Sequence, residues 1–109
     1  MEGISMKYHF KVGRAKNLVL DENDTFADLG FAVLDAYHID SDHLFMFTFS
    51  NGDETNSVCP FGSMQDYRDV DADSPIKSRQ MEVGEVMTME YDYGSTWTRK
   101  VKLVEISDN

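Results

Sequence analysis

The 109-residue chain has one cysteine, two prolines and half as many basic as acidic residues, and each shortage excludes something. The lone Cys59 cannot close an internal disulfide, and no Cys/His cluster offers a structural zinc site. Apolar runs such as Leu44 to Phe47 fall far short of the ~20 residues that a membrane-spanning helix needs. The opening Met-Glu-Gly-Ile-Ser-Met-Lys lacks the basic region, apolar core and small-residue cleavage site of a secretory leader. These absences predict a reduced, cytoplasmic chain with no membrane segment. Equally missing are a glycine-rich phosphate loop, a nucleophile elbow and a helical His-x-x-x-His pair, so no enzyme motif stands out. The expectation leans away from an enzyme.

What is present is a core. Hydrophobic residues make up 41% of the chain and aromatics 12%, more than a disordered chain of this charge carries. The length fits a single domain, residues 1–109. The net charge of −10 is unevenly spread. Residues 1–20 set four bases against Glu2 for a net +3, residues 21–73 set 13 acids against Arg68 for −12, and residues 74–109 come to −1. A surface polarised in this way repels nucleic-acid phosphates and attracts cations or basic proteins, so a protein partner is expected and nucleic acid is disfavoured.

Lys7 to Val12 alternates polar and apolar residues, as a half-buried strand does, and after a turn over Gly13–Asn17 the segment Leu18-Val19-Leu20 completes a hairpin. Thr25 and Asp28 form a capping box at the start of a helix whose apolar face is Phe26, Leu29, Val33, Ala36 and Tyr37, widened by Phe31 and Leu34. Gly30 in its middle marks close packing against another element. His43 to Phe49 is apolar on both faces, the pattern of a strand central in its sheet or covered on both sides. Asn51-Gly52 signals a hairpin with a weakly patterned return strand in Glu54–Val58. Residues 59–80 read as a long surface loop with a helical turn near Ser63–Tyr67. Val86–Tyr91 and Thr96–Ile106 are two strands joined by Asp92-Tyr93-Gly94-Ser95, where Gly94 is free to take a positive φ. The order β-β-α-β-β-loop-β-β predicts an α+β, two-layer fold: a mostly antiparallel sheet of five to six strands with one main helix on it.

Asp42-His43-Leu44 followed by Phe45 and Phe47, then Tyr91-Asp92-Tyr93-Gly94 with Trp97 beyond, resembles the pRiA plasmid ORF-three-like family, which includes TnpR-like insertion-element passengers. The family's opening Tyr-x-Phe-x-Val appears as Tyr8 to Val12, its Thr-x-x-Asp-Leu as Thr25 to Leu29, and its closing Tyr-Asp-Phe-Gly-Asp-x-Trp-x-His as the stretch from Tyr91. The resemblance implies an α+β fold, a plasmid or mobile-element setting, and a candidate motif site of Asp42, His43, Asp92, Gly94 and Trp97. It implies no established activity. This chain departs from the pattern at Gly30, Ser95, Thr96 and Arg99, and its first hairpin lacks the family's Trp-Arg-Arg.

Three constellations carry possible chemistry. Asp69, Asp71 and Asp73 alternate in the acidic loop 66–73 like the opening of a calcium loop. An EF-hand needs Gly at the sixth place and Glu at the twelfth, where Ser74 and Gln80 stand. His38, Asp40, Asp42 and His43 could supply metal ligands, or form a turn with local caps. No cofactor is expected beyond a weak divalent cation at Asp40, Asp42, His43 or the loop aspartates. Arg99, Lys100, Lys102, Lys7, Lys11 and Lys16 would make a basic ribbon if the first and last strands were neighbours. The leading expectation is a non-catalytic protein-interaction module. The alternatives are a metal-dependent hydrolase or nuclease using Asp/His ligands, which requires Asp42 or His43 to approach Asp92 or the loop aspartates, and a nucleic-acid binder using the basic strands.

Overall fold

The structure, a computed structural model, describes residues 5–60, 68–95 and 97–108. Five strands, β1 (Lys7–Val12), β2 (Lys16–Asp21), β3 (Phe45–Thr48), β4 (Val86–Tyr91) and β5 (Trp97–Ser107), form one sheet in the order β2-β1-β5-β4-β3. Every pairing is antiparallel. One helix, α1 (Phe26–Ala36), packs on one face, which gives the expected α+β fold. Among the described residues no helix is long and apolar enough to cross a membrane.

The helix begins and ends by local rules. Thr25 Oγ1 accepts the Asp28 N–H at 3.0 Å while Asp28 Oδ2 accepts the Thr25 N–H at 2.9 Å, so the capping box is closed in both directions. At the other end His38 takes a left-handed φ of 57°. Its N–H donates to the Asp35 carbonyl and that of Ile39 to the Leu34 carbonyl, a Schellman ending in which Ile39 also packs against the core. Gly30 lies directly over the Phe45 ring: a Cβ at that position would stand 2.0 Å from Phe45 Cε1. Phe31 does not join the covered face as expected. It is 36% exposed and meets Phe45 only edge-on, with centroids 5.1 Å apart.

Strand β3 lies at the edge of the sheet, not at its centre. Its free edge is sealed by single bridges, Phe45 to Val58 and Thr48 to Glu54. The return segment forms no continuous strand because a side chain enters the ladder: buried Thr55 accepts the Phe47 N–H through Oγ1 at 3.0 Å. The helical turn expected over Ser63–Tyr67 lies outside the described residues. The rest of 59–80 departs from a surface loop. Among its described residues Ala72 and Ile76 are buried, as is Met81 just beyond it, and Ile76–Arg79 is a short 3-10 helix. This segment is tied to the start of α1. Ile76 N–H donates to the Asp24 carbonyl at 2.8 Å, and the Ala72 carbonyl accepts the Ala27 N–H, one of the helix's free amides, at 2.9 Å. Arg79 fixes the other end, bonding Asp53 Oδ2 at 2.8 Å and Asn51 Oδ1 at 3.0 Å and lying 4.3 Å over the Phe49 ring. The bonds from Arg79 and Asn51 hold the Asp53 carboxyl below its usual pKa.

Candidate functional site

The register of β3 on β4 brings the two halves of the motif together. Phe45 pairs with Tyr91, and the Asp92 N–H extends the ladder by one bond to the Leu44 carbonyl at 3.0 Å. His43 therefore faces the turn after β4. Its Nε2 lies 3.5 Å from Asp42 Oδ1 and 3.7 Å from Asp92 Oδ2. Asp42 and His43 are adjacent, yet both reach the cluster because β3 begins only at Phe45, so strand alternation does not separate them. Tyr91 stands beneath: its hydroxyl donates to Asp42 Oδ1 at 2.8 Å and also lies against the Asp40 carbonyl.

Asp92 takes the left-handed conformation, φ 55°, that the sequence assigned to Gly94. Its side chain compensates by accepting the Ser95 hydroxyl at 2.8 Å, and its carbonyl accepts the Ser95 N–H at 2.9 Å. Gly94 lies outside the left-handed region, and among the described residues an added Cβ there would meet Asp92 Oδ1, at 3.6 Å. The positive φ thus sits two residues earlier than expected, where an Asp can close its own turn.

Trp97 belongs to an aromatic chain. The His43 ring meets Tyr91 at 5.8 Å, Tyr91 meets Trp97 at 6.1 Å, and Trp97 meets Tyr37 at 5.5 Å, all near edge-on. Half-buried Trp97 packs on the core, so it anchors the β4–β5 hairpin. Tyr37 and Tyr91 were missed as site residues. Tyr37 signals itself only by ending the apolar face of the helix, whereas Tyr91 opens the motif Tyr91-Asp92-Tyr93-Gly94 and reads there as the end of a strand.

Burial, and then the hydrogen bond to the Asp42 carboxylate, push the Tyr91 phenol above the ordinary tyrosine value. Burial does the same to Tyr8. A raised phenol pKa means that the fold favours the neutral form. The stability it contributes is complete below the usual value of about 10 and is lost as pH rises through the higher folded value. Following tyrosinate absorbance against pH should show late steps among the five tyrosines. Tyr91→Phe should remove one of them, and five tyrosines titrating together near the ordinary value would contradict the buried hydroxyl.

The loop aspartates do not reach this cluster. Asp69 accepts the Glu54 N–H at 3.1 Å, and Asp71 accepts the Asp73 N–H at 2.9 Å, beyond the free edge of β3. Of the alternatives' requirements, then, His43 meets Asp92 but not Asp69, Asp71 or Asp73. Asp40 contributes its backbone carbonyl to Tyr91. Among the described residues no group of three or more His, Cys, Asp or Glu side chains is placed to hold a metal ion. The strands of the basic ribbon are neighbours, with Lys11 directly opposite Lys102. The ribbon is nevertheless broken up. Lys7 pairs with Asp21 at 3.0 Å, and Lys16 lies on the helix side, 5.6 Å over the Tyr37 ring.

No protein-family model matches the chain, and no curated protein matches it. Among solved structures it is similar to a protein of unknown function, MM3350, from Methanosarcina mazei Go1, with a TM-score of 0.72 at 23% identity. The match covers 98% of this chain and 64% of that one, so this chain spans somewhat under two thirds of its neighbour's length. At that identity the likeness is one of fold.

Proposed function

We propose that the chain is a non-catalytic protein-interaction module that presents the acidic ridge Asp69, Asp71 and Asp73 to a basic segment of a partner. The observation that carries this reading is how the ridge is held. Val70 and Ala72 turn inward while the aspartates between and beside them stay exposed. The Val70 N–H donates to the Glu54 carbonyl at 3.1 Å, its carbonyl accepts the Asn56 N–H at 3.2 Å, and the Ala72 N–H donates to Asn56 Oδ1 at 2.7 Å. The carboxylates are therefore ordered before a partner arrives, which reduces the entropy lost on binding. The strand order sets basic β1 and β5 side by side and sends residues 40–58 to the opposite edge, so the molecule's own field orients an approaching partner. The resemblance to the plasmid family supplies a plasmid or mobile-element setting for this role, and the composition, with its lone cysteine, supplies a reduced, cytoplasmic one.

The test uses the immobilised chain at low salt beside a variant carrying Asp69→Lys, Asp71→Lys and Asp73→Lys. Basic proteins retained by the wild type should be lost with the variant and released by salt. Equal retention by both chains, or none above background, would overturn the reading.

One observation favours a second reading, a metal-dependent hydrolase or nuclease: His43 Nε2 faces two carboxylates. Thermal melting with Ca²⁺, Mg²⁺, Mn²⁺ and Zn²⁺, with EDTA as control, separates the two. The latch formed by Tyr91, Asp42, His43 and Asp92 predicts an unchanged midpoint. An ion at a hundredfold over its Kd would add about 2.7 kcal/mol and raise the midpoint by roughly 10 °C, which would move the case to the metal enzyme.

A further inference from the structure

At the end of the sheet near the first hairpin turn, β1 stops pairing with β5. The last bond runs from the Gly13 N–H to the Lys100 carbonyl at 2.9 Å, and the start of β5 continues without it. A cleft of about 540 Å³ opens there, lined by Arg14, Arg99 and Lys100 together with Tyr37, Thr88 and Thr98. From these observations we infer that this cleft is a binding site for a phosphate-bearing small organic anion.

Charge is the first support. In a chain of net charge −10, three cations and no acid line the cleft. Among the described residues none of the three lies within ion-pair distance of a carboxylate, whereas Lys7 and Arg79 do. Two further lysines, Lys11 and Lys102, face each other directly across the same pair of strands.

Preorganisation is the second. The Arg99 guanidinium lies 4.3 Å from the Trp97 ring and 5.0 Å from the Tyr37 ring, while its Nη1 donates to the Thr98 carbonyl at 2.8 Å. A stacked, tethered guanidinium keeps its planar fork in place and loses little rotamer freedom on binding. Lys100 Nζ is likewise held, 2.9 Å from Thr88 Oγ1. Strand alternation puts Arg99 on the helix-covered face of β5 and Lys100, bonded to Thr88, on the other. Arg14 and Arg99 therefore bring the guanidinium forks to the cleft, and Lys100 adds charge from across the strand. Two forks suit a dianionic tetrahedral oxyanion better than a single carboxylate. The volume falls within the range of small-molecule sites and leaves room for an organic body beside the phosphate.

The probes are phenyl phosphate, phenyl acetate and a short single-stranded oligonucleotide with and without a 5′ phosphate, titrated into the full chain at low salt and followed by amide chemical shifts. Phenyl phosphate should bind saturably, with the shifts centred on Gly13, Thr98 and Lys100. Arg14→Ala, in an exposed turn, and Arg99→Lys, which keeps the charge but not the fork, should each weaken it about tenfold or more. Lys77→Ala, on the 3-10 helix, should leave it unchanged. Equal weakening by Lys77→Ala, no saturable shift, or phenyl acetate binding as well as phenyl phosphate would each overturn the inference. So would oligonucleotide binding that ignores the 5′ phosphate, which would make the cleft part of a nucleic-acid surface.

Discussion

Gly30→Ala should destabilise the protein by about 3 kcal/mol, although Ala is the better helix former by about 1 kcal/mol. The added methyl has nowhere to go. It would stand 2.0 Å from Phe45 Cε1, 2.5 Å from Cζ and 2.7 Å from Cδ1, all well inside contact distance. The Phe45 ring cannot swing aside, because it is fully buried and meets the edges of Phe31 at 5.1 Å and Phe47 at 6.3 Å. Relief has to come from lifting α1 off β3, and that uncovers Phe26, Leu29 and Val33, each with no exposed surface. Urea or thermal unfolding of the two chains measures the cost. A midpoint equal to or above that of the wild type would show that helix and strand are not in the close contact described.

That contact was legible in outline. The capping box, the apolar spacing and the interrupting glycine predicted both a helix and a close neighbour for it. They did not name Phe45, because contacts between elements distant in sequence are set by sheet order, which local patterns do not encode. The same limit explains the misplacement of β3. Its two apolar faces suggested a strand central in its sheet or covered on both sides, but burial at Phe45, Phe47 and Phe49 comes from α1, and the free edge is closed by Thr55, a polar residue in the weakly patterned return segment Glu54–Val58. Hairpin β1–β2 and strands β4 and β5 were readable to within two residues because alternation and turn chemistry are local.

The site was readable in a different sense. Asp42, His43 and Asp92 were named from a motif and do converge, since pairing of Phe45 with Tyr91 carries them there. The motif could not show that Tyr91 is the hub, nor that Gly94 is conformationally ordinary and Asp92 takes the left-handed turn. The cleft at Arg14, Arg99 and Lys100 draws on two segments distant in sequence. In the sequence Arg99 and Lys100 were members of a basic ribbon, and Arg14 was one residue of the turn over Gly13–Asn17.

Ile76→Ala tests the stretch whose character the sequence concealed, and should cost about 3 kcal/mol. Ile76 lies in the 59–80 stretch that the sequence pattern reads as a long surface loop. It is fully buried in the same core as Phe26 and Met81. The cost has two parts. Three side-chain carbons, a methylene and two methyls, are lost from a packed interior, leaving a cavity that the short Ile76–Arg79 helix cannot close without pulling on its tethers. Those tethers run from the Ile76 N–H to Asp24 and from the Lys77 N–H to Glu22, while the Ala72 carbonyl holds the Ala27 amide at the start of α1. Loosening the segment therefore exposes a helix terminus and slackens the aspartate ridge in one step. Hydrogen exchange should show the amides of Ile76, Lys77 and Ala27 opening together in the variant, with the strand amides of β1 and β5 less affected. A loss below about 1 kcal/mol, the scale of an ordinary surface substitution or little more, would mean that residues 72–79 rest on the core without being part of it. In that case the ridge would owe its order to the bonds of Val70 and Ala72 with Glu54 and Asn56 alone.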